Sequence, residues 1–275
     1  MKPIQLIEIP KKIVDYVGGV THISFPRQGH TSDVGILFSA KGTFILKRTK
    51  GKQYGSWLKK EATVLKCLSN STLPVPHLYC FIAQPLDEQA WALMEYIEGS
   101  TIRQALENET KEENRQAIIF HYGKVLAAIH STPCPLEIKE GAVGVWIDDM
   151  LGQAEFNLKN FEVDGTSELL DDLKGNKPEP IQQTFIHGDF TIDNVLVHNQ
   201  KISGIIDWSG GAFGDPRYDF ALAVRPKPQA FETERDRQIF YEGYGGKLIN
   251  QNEYNYFKNG LYEFFLDEDI NRSVG

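Results

Sequence analysis

The sequence predicts an α+β fold of two lobes, in which a small antiparallel sheet is followed by a larger, mainly helical part. Up to about residue 98, apolar and polar residues alternate as they do in half-buried strands. After Gly99 the apolar residues recur with the period of a helix, and the change falls at Glu98–Gly99–Ser100. We therefore predict a first lobe over residues 1–98 and a second lobe over residues 99–275. With 275 residues and 41% hydrophobic content, the chain is long enough for two cores.

Three strands and one helix are predicted in the first lobe. The segments Val34–Phe38, Thr43–Lys47 and Ala90–Met94 have the composition and pattern of strands. The segment Ser56–Leu68 interrupts them with helical spacing. Ser56 is the predicted N-cap, because a serine hydroxyl can accept from the free N–H groups of a first helical turn.

A carboxylate falls on the apolar face of this helix. Glu61 stands four residues after Trp57 and four before Leu65, so these three residues share one face. Burying an unpaired carboxylate costs several kcal/mol, since even a neutral polar group costs roughly 2–7 kcal/mol. Lys47, at the end of a predicted strand, is the natural partner for Glu61. The alternative for Lys47 is a terminal lysine that extends into solvent.

Helices dominate the prediction for the second lobe. The segment Gly165–Pro180 is rich in turn-forming residues and is expected to be an exposed connection. The helix ending in Lys124–His130 is expected to pack in the core. The predicted helices are Ile102–Glu107, Glu113–His130, Trp146–Phe161, Glu232–Tyr244 and Tyr254–Phe265.

A β-hairpin with a polar open end is predicted near residue 200. Val195–Val197 and Ile202–Ile206 are short apolar runs joined by four polar residues. A turn at Asn199 and Gln200 pairs Asn194 with residue 205 or 206. Asp207 should therefore lie beside Asn194 in space.

This hairpin end carries the ligand types of a magnesium site. The Asn194 amide oxygen and the Asp207 carboxylate are hard oxygen donors, and water and phosphate complete the coordination of Mg²⁺. Asp189 lies in the loop leading to the same end, where it could accept a proton from a hydroxyl group. The alternative is that these residues only cap loops. His187 is predicted to be a structural hydrogen-bonding residue without a chemical role.

Three motifs in this region carry a family resemblance. HGDFTIDN (187–194), IIDW (205–208) and GDPRYD (214–219) are similar, in spacing and order, to the signature of the aminoglycoside phosphotransferase and choline kinase family. These are small-molecule kinases with a protein-kinase-like fold. The resemblance implies that Asp189 is the catalytic base and that Asn194 and Asp207 hold Mg²⁺ against the phosphates of ATP, with GTP not excluded. It also implies that Asp219 is structural, and it leaves Asp215 open.

The resemblance assigns nucleotide-binding residues to the first lobe. It implies that Lys47, oriented by Glu61, contacts the α- and β-phosphates. The loop at residues 27–33 would cover the phosphates through Gly29 and Ser32, although an ordinary hairpin turn is the alternative there. The segment from Met94 to Gly99 is similar to the family hinge, so the backbone of Glu95 and Ile97 would meet the adenine edge.

One position departs from the family pattern. Glycine often precedes the metal-binding asparagine in the family, and this chain has Asp193 there. We expect the tight loop geometry to hold nonetheless, because aspartate tolerates the left-handed conformation better than most residues. The charge of Asp193 would lie close to the metal.

The acceptor is less well defined than the reaction. Acceptors in the family include aminoglycosides, macrolides, choline, ethanolamine, homoserine and methylthioribose. Asp267, Glu268 and Asp269, with Asp148 and Asp149, could bind the ammonium groups of a cationic hydroxyl compound such as an antibiotic. The alternative is an acidic tail in solvent.

Two other function classes stay open. One is a hydrolytic metalloenzyme with His187, Asp189 and Asp207 as ligands, which would leave Lys47 and Glu61 without a purpose. The other is a kinase-like protein that binds nucleotide without turnover.

Composition and charge indicate which classes of partner and which compartment to expect. A formal charge of −8 and a pI near 5.4 argue against a nucleic-acid partner, which calls for a basic face. Cys67, Cys80 and Cys134 are scattered and odd in number, as in a reduced cytosolic protein. There is no signal-like or membrane-length apolar run, so a cytoplasmic protein without a membrane partner is expected. The sequence leaves the oligomeric state open.

Overall fold

The first lobe is built on a five-stranded antiparallel sheet with strand order β1-β2-β3-β5-β4. The computed structural model describes residues 3–26, 31–141 and 144–265. The three predicted strands are confirmed as β2, β3 and β5, and two strands and one helix join them. The elements of this lobe are α1 (Lys11–Val17), β1 (Val20–Ser24), β2 (Asp33–Ser39), β3 (Gly42–Lys50), α2 (Lys52–Leu68), β4 (Leu78–Gln84) and β5 (Gln89–Glu95).

The prediction that Ser56 caps helix α2 is wrong. The helix begins about one turn earlier, with Gly51 at the N-cap in a conformation (φ 93°, ψ 148°) that favours glycine. Ser56 lies inside the helix, and its hydroxyl donates to the Gln53 carbonyl at 2.6 Å. Helix α1 was not predicted, although Ile13 and Val17 bury fully in the core of this lobe beside Trp91.

The second lobe is mainly helical, as predicted. Its two small sheets have the strand orders β6-β8-β9 and β10-β7. The elements are β6 (Ser100–Thr101), α3 (Ile102–Asn108), α4 (Glu112–Ser131), α5 (Leu136–Glu140), α6 (Trp146–Asn160), α7 (Ser167–Gly175), β7 (Thr184–Ile186), β8 (Val195–His198), β9 (Lys201–Ile205), β10 (Ala212–Gly214), α8 (Pro216–Ala223), α9 (Glu234–Tyr244) and α10 (Gln251–Phe257).

The structure corrects two predictions for the second lobe, in which helices α5 and α8 were also not predicted. The expected exposed connection contains α7, which Thr166 caps by accepting from the Leu169 N–H and which buries Leu170 and Leu173. The predicted helix at residues 254–265 is interrupted. Helix α10 ends at Phe257, and a 3-10 turn (Leu261–Phe264) follows it.

Helices α4 and α9 form the closest packing in the second lobe. A Cβ added to Gly123 would lie 2.2 Å from the Phe240 carbonyl oxygen, so the two backbones approach at a residue without a side chain. Leu126 and Ile129 are fully buried, as predicted for this helix. Within the described ranges, no helix combines the length and apolar character needed to span a bilayer.

Candidate active site

The predicted hairpin is present and brings the two candidate metal ligands together. His198 pairs with Lys201 across a turn in which Asn199 and Gln200 have positive φ, the conformation of a type I′ turn. At the open end, the Ile206 N–H donates to the Asn194 carbonyl at 2.9 Å. Asp207 therefore follows directly on the residue that pairs with Asn194.

The Asn194 side chain holds the candidate base. Its amide nitrogen donates to the Asp189 carboxylate at 2.8 Å and to the Asp189 carbonyl at 2.9 Å. Because the nitrogen and oxygen of an amide diverge from one carbon, the Asn194 oxygen is not engaged in these two hydrogen bonds to Asp189. The amide can thus orient Asp189 and offer an oxygen to a cation at the same time.

Two glycines allow the loops of Asp189 and Asp207 to cross in backbone contact. Gly188 has a φ of 79°, and a Cβ built on it would lie 2.3 Å from the Gly210 carbonyl oxygen. A Cβ on Gly210 would lie 2.8 Å from the Gly188 carbonyl carbon. Asp207 itself has left-handed backbone angles (φ 63°, ψ 63°), which are uncommon for a residue with a side chain. The backbone at Asp207 is thus in an unusual conformation beside the crossing of the two loops.

Lys47 and Glu61 form the expected ion pair. The ammonium group of Lys47 lies 2.7 Å from one carboxylate oxygen of Glu61 and 3.0 Å from the other. The Asp207 carboxylate lies 3.7 Å from the same ammonium group. Burial disfavours the charge on Lys47, but the carboxylates of Asp207 and Glu61 outweigh it and raise the pKa of Lys47 above its ordinary value. Lys47 is therefore a fixed cation between the two lobes.

His187 supports the loop from within the core, as predicted. Its Nδ1 accepts from the Asp189 N–H at 3.2 Å, so the protonated Nε2 donates to the Ile206 carbonyl at 3.0 Å. Burial lowers the pKa of His187 and keeps the ring neutral. Since both ring nitrogens are engaged, the alternative metal centre that uses His187 as a ligand does not form in this arrangement.

Asp219 anchors the start of the same loop. Its carboxylate, fully buried, accepts from the His187 N–H at 2.6 Å and from the Gly188 N–H at 2.8 Å. Asp215 caps helix α8 and pairs with the buried guanidinium of Arg217. Both residues thus serve local structure.

Asp193 does not need the left-handed conformation in this loop, and its φ is not positive. Its carboxylate instead pairs with Arg103, a buried residue of helix α3. Arg103 was not predicted as a site residue. The only sequence signal is an arginine at the second position of a predicted helix, which by itself does not point to a residue ninety positions later.

The other predicted nucleotide-binding residues that the structure describes, Ser32, Glu95 and Ile97, do not line the large cleft. Gly29 lies outside the described residues. Ser32 directly precedes β2, and among the described residues its neighbour Thr31, not Ser32, lines the large cleft. Glu95 ends β5, where its N–H donates to the His77 carbonyl at 2.8 Å. Ile97 packs against Gly204 of strand β9. Their roles remain predictions.

A cleft of about 720 Å³ opens in front of Asp189 and Asp207. Helix α2 forms one side and helix α6 another, and Asp149 lies on the α6 side. Asp148 pairs with Lys177. Asp267, Glu268 and Asp269 lie outside the described residues. Rings that line the cleft belong to Tyr54, Trp57, Trp146, Phe161, Phe213, Tyr218, Tyr262 and Phe265.

The chain is similar to two phosphotransferases over much of its length and to a part of one longer protein. It is 25% identical to an aminoglycoside 3'-phosphotransferase of Niallia circulans, over 93% of this chain and 97% of that one. A second aminoglycoside 3'-phosphotransferase, from Enterococcus faecalis, is 29% identical over 73% of this chain and 76% of that one. The probable acyl-CoA dehydrogenase IBR3 of Arabidopsis thaliana is 28% identical over 70% of this chain, which spans only 26% of that longer protein.

Solved structures show the same fold. The crystal structure of an aminoglycoside-3'-phosphotransferase of type VIII has a TM-score of 0.73, at 19% identity over 89% of this chain and 93% of that one. A spectinomycin phosphotransferase in complex with ADP and spectinomycin has a TM-score of 0.66, at 17% identity over 93% and 84%. The model of the phosphotransferase enzyme family matches residues 22–252. The chain therefore belongs to the phosphotransferase enzyme family, whose members have the protein-kinase-like fold.

Proposed function

We propose that this phosphotransferase moves the γ-phosphoryl group of ATP to a hydroxyl group of a small molecule. The observation that carries the proposal is the convergence of four separate chain segments on one end of the cleft. These segments contribute the Lys47–Glu61 ion pair, the hydrogen-bonded Asp189 and Asn194, and the Asp207 carboxylate. Such a set meets what phosphoryl transfer asks of a protein, namely positioning and neutralisation of charge.

Asn194 and Asp207 fit a hard divalent cation. The side chain of Asp207 is 41% exposed, so its carboxylate remains accessible even though it faces Lys47. The Asn194 oxygen is the second donor, and both are oxygen ligands of the type that Mg²⁺ binds. When bound, Mg²⁺ would neutralise the charge of the phosphates.

Asp189 acts in this proposal as the base for the acceptor hydroxyl. As the acceptor oxygen bonds to the γ-phosphorus and the bond to the β-phosphate oxygen breaks, the hydroxyl proton passes to the Asp189 carboxylate. The hydrogen bond from Asn194 fixes which carboxylate oxygen is engaged and which faces the cleft. Lys47, held by Glu61, would bind the phosphates that remain on the nucleotide.

The cleft supports a drug-sized acceptor. Its volume of about 720 Å³ lies within the usual range of ligand pockets, roughly 300–1,000 Å³. Asp149 could bind an ammonium group of an aminoglycoside, the substrate class named for the two bacterial relatives. A housekeeping acceptor is the second candidate, favoured by a homoserine kinase of Neisseria meningitidis that is 28% identical over half of this chain and 47% of that one.

The test is acceptor-dependent ADP release. The purified chain would be incubated with Mg-ATP, or Mg-GTP in parallel, and with aminoglycosides, macrolides, choline, ethanolamine, homoserine or methylthioribose. Release that depends on one acceptor class supports the proposal and names that class. Nucleotide binding without release for any acceptor favours the silent binding protein. Absence of both contradicts the proposal.

A further inference from the structure

The catalytic loop contains an acidic residue that the proposed chemistry does not use. Asp193 directly precedes Asn194, whose side chain holds Asp189 at 2.8 Å. An unpaired carboxylate at this position would add negative charge where nucleotide phosphates are to bind. Its movement could also displace the neighbouring Asn194 side chain, the proposed metal ligand.

Arg103 restrains this carboxylate, because it donates hydrogen bonds to two consecutive loop residues, Ile192 and Asp193. Its Nε donates to one carboxylate oxygen of Asp193 at 2.7 Å, and its Nη2 donates to the other at 2.5 Å. Its backbone N–H donates to the Ile192 carbonyl at 3.2 Å. Arg103 is only 6% exposed, so the pair is shielded from water on its side. A planar guanidinium bound through two nitrogens fixes orientation as well as charge.

The position of Arg103 is fixed by helix α3 and by the pairing of strands β6 and β8. Thr101 caps α3 in a reciprocal pair of hydrogen bonds with Gln104, so the first turn that carries Arg103 is well defined. Thr101 also pairs with Leu196 between strands β6 and β8. Strand β8 continues directly from Asn194. The loop is therefore fixed at both ends by elements that contact each other.

We propose that Arg103 is a positioning residue for the transfer reaction. Its bidentate pair with Asp193 holds Asn194, and through Asn194 the base Asp189, in the orientation that the reaction needs. The guanidinium also neutralises Asp193 so that this carboxylate does not compete for the metal. The inference rests on the roles proposed above for Asp189 and Asn194.

The test uses Arg103→Met, Asp193→Asn and the double variant. Two readouts need no acceptor: the slow hydrolysis of Mg-ATP, and the Mg²⁺ concentration that gives half of the nucleotide-induced rise in melting temperature. For Arg103→Met we expect kcat to fall roughly 10- to 100-fold and the half-saturating Mg²⁺ concentration to rise by a similar factor, as for other residues that orient metal ligands. The double variant should recover part of both losses, because it no longer leaves a carboxylate unpaired.

Arg115→Met is the matched control. Arg115 of α4 pairs with the buried Asp236 of α9 at 2.8 Å in the second lobe, and neither residue belongs to the catalytic loop. This variant should lower the melting temperature without changing kcat or the Mg²⁺ dependence. If Arg103→Met behaves in the same way, the pair is merely structural and the inference is wrong.

Asp193→Asn covers the case in which Arg103→Met does not fold. It preserves the shape of the side chain and keeps Arg103 in place, and we expect it to lower kcat on the order of 10-fold. Wild-type kinetics in Asp193→Asn would overturn the inference while leaving the proposed function intact. A wild-type chain that neither hydrolyses Mg-ATP nor is stabilised by it would overturn the proposed function, and this inference with it.

Discussion

At the scale of single residues, the Lys47–Glu61 pair shows how the fold fixes the position of a buried ammonium group. Glu61 is 3% exposed, and burial raises its pKa while the Lys47 ammonium acts against that change. Neither residue can be buried alone, since an isolated buried charge is strongly unfavourable. Helix α2 and strand β3 are thereby held at a fixed distance, with the ammonium facing Asp207.

Replacing Glu61 with glutamine should therefore destabilise the chain. Breaking a buried pair costs about 3–5 kcal/mol, and we expect the lower end of that range because Asp207 remains near Lys47. The measurement is the free energy of unfolding in urea. Glu155→Gln is the control, because this surface carboxylate pairs with Lys159 and Lys174 in solvent and should leave the urea midpoint nearly unchanged. Equal midpoints for the two variants would contradict the buried-pair account.

His187 should give the stability a pH dependence on the acid side. Its folded-state pKa lies below the unfolded value of about 6.5, so the unfolded state binds a proton first as the pH falls. The stability contributed by neutral His187 is thus fully present above pH of about 6.5 and is lost as the pH falls towards the folded-state pKa. The loss of melting temperature between pH 8 and pH 5.5 should shrink in His187→Gln. An unchanged loss would show that other groups cause it.

Much of the candidate site could be predicted at this scale because its members lie close together in the sequence. Asn194 and Asp207 are connected by one hairpin, and Glu61 was found from helical spacing. Arg103 could not be found, since it meets Asp193 only through the packing of α3 against the loop. The pairing of Asp193 could not be predicted for the same reason, because Asp193 is accommodated by an ion pair with Arg103 and not by a left-handed backbone.

At the scale of elements, helix α2 depends on how it begins. Gly51 has backbone angles that other residues rarely adopt, and its N–H donates to the Glu88 carbonyl at 2.7 Å. This geometry sets the direction of the helix that carries Glu61. The sequence prediction began the helix at Ser56 because serine is a common N-cap, while glycine at this place acts through φ, which the pattern of residues does not reveal.

Gly51→Ala isolates that backbone effect. No atom lies within 4 Å of the added Cβ, so the cost is conformational and should be about 1–3 kcal/mol in the free energy of unfolding. Gly152→Ala is the matched control. Its added Cβ is equally uncrowded, but it lies within helix α6, where alanine should stabilise by about 0.5–1 kcal/mol. Opposite signs for the two variants are expected, and the same sign would contradict the account.

The missed elements share a physical cause. Helix α7 is short and lies in a segment rich in glycine, aspartate and proline, so its composition favours a loop. Its burial comes from Leu170 and Leu173, whose contacts lie elsewhere in the fold. Local propensity predicts the long periodic helices, whereas short elements owe their stability to tertiary packing.

At the scale of the whole molecule, the proposed function depends on two lobes that meet at one cleft. The first lobe supplies the fixed cation Lys47, and the second supplies Asp189, Asn194 and Asp207. The crossing of Gly188 and Gly210 leaves no room for side chains, so the proposed base Asp189 and the proposed metal ligand Asp207 cannot move independently. The two-lobed α+β class followed from the change of periodicity near Gly99, whereas the acceptor class depends on the shape of the cleft.

The central claim is that Asp189 is the base of a nucleotide-dependent transfer. The most direct measurement compares wild type and Asp189→Asn in acceptor-dependent ADP release, with the rise in melting temperature caused by Mg-ATP recorded for both. We expect the variant to lose transfer by roughly 10²- to 10⁴-fold, the usual contribution of a general base, and to keep the Mg-ATP shift. Undiminished transfer would contradict the assignment of the base, and loss of the nucleotide shift would show that Asp189 acts in binding instead.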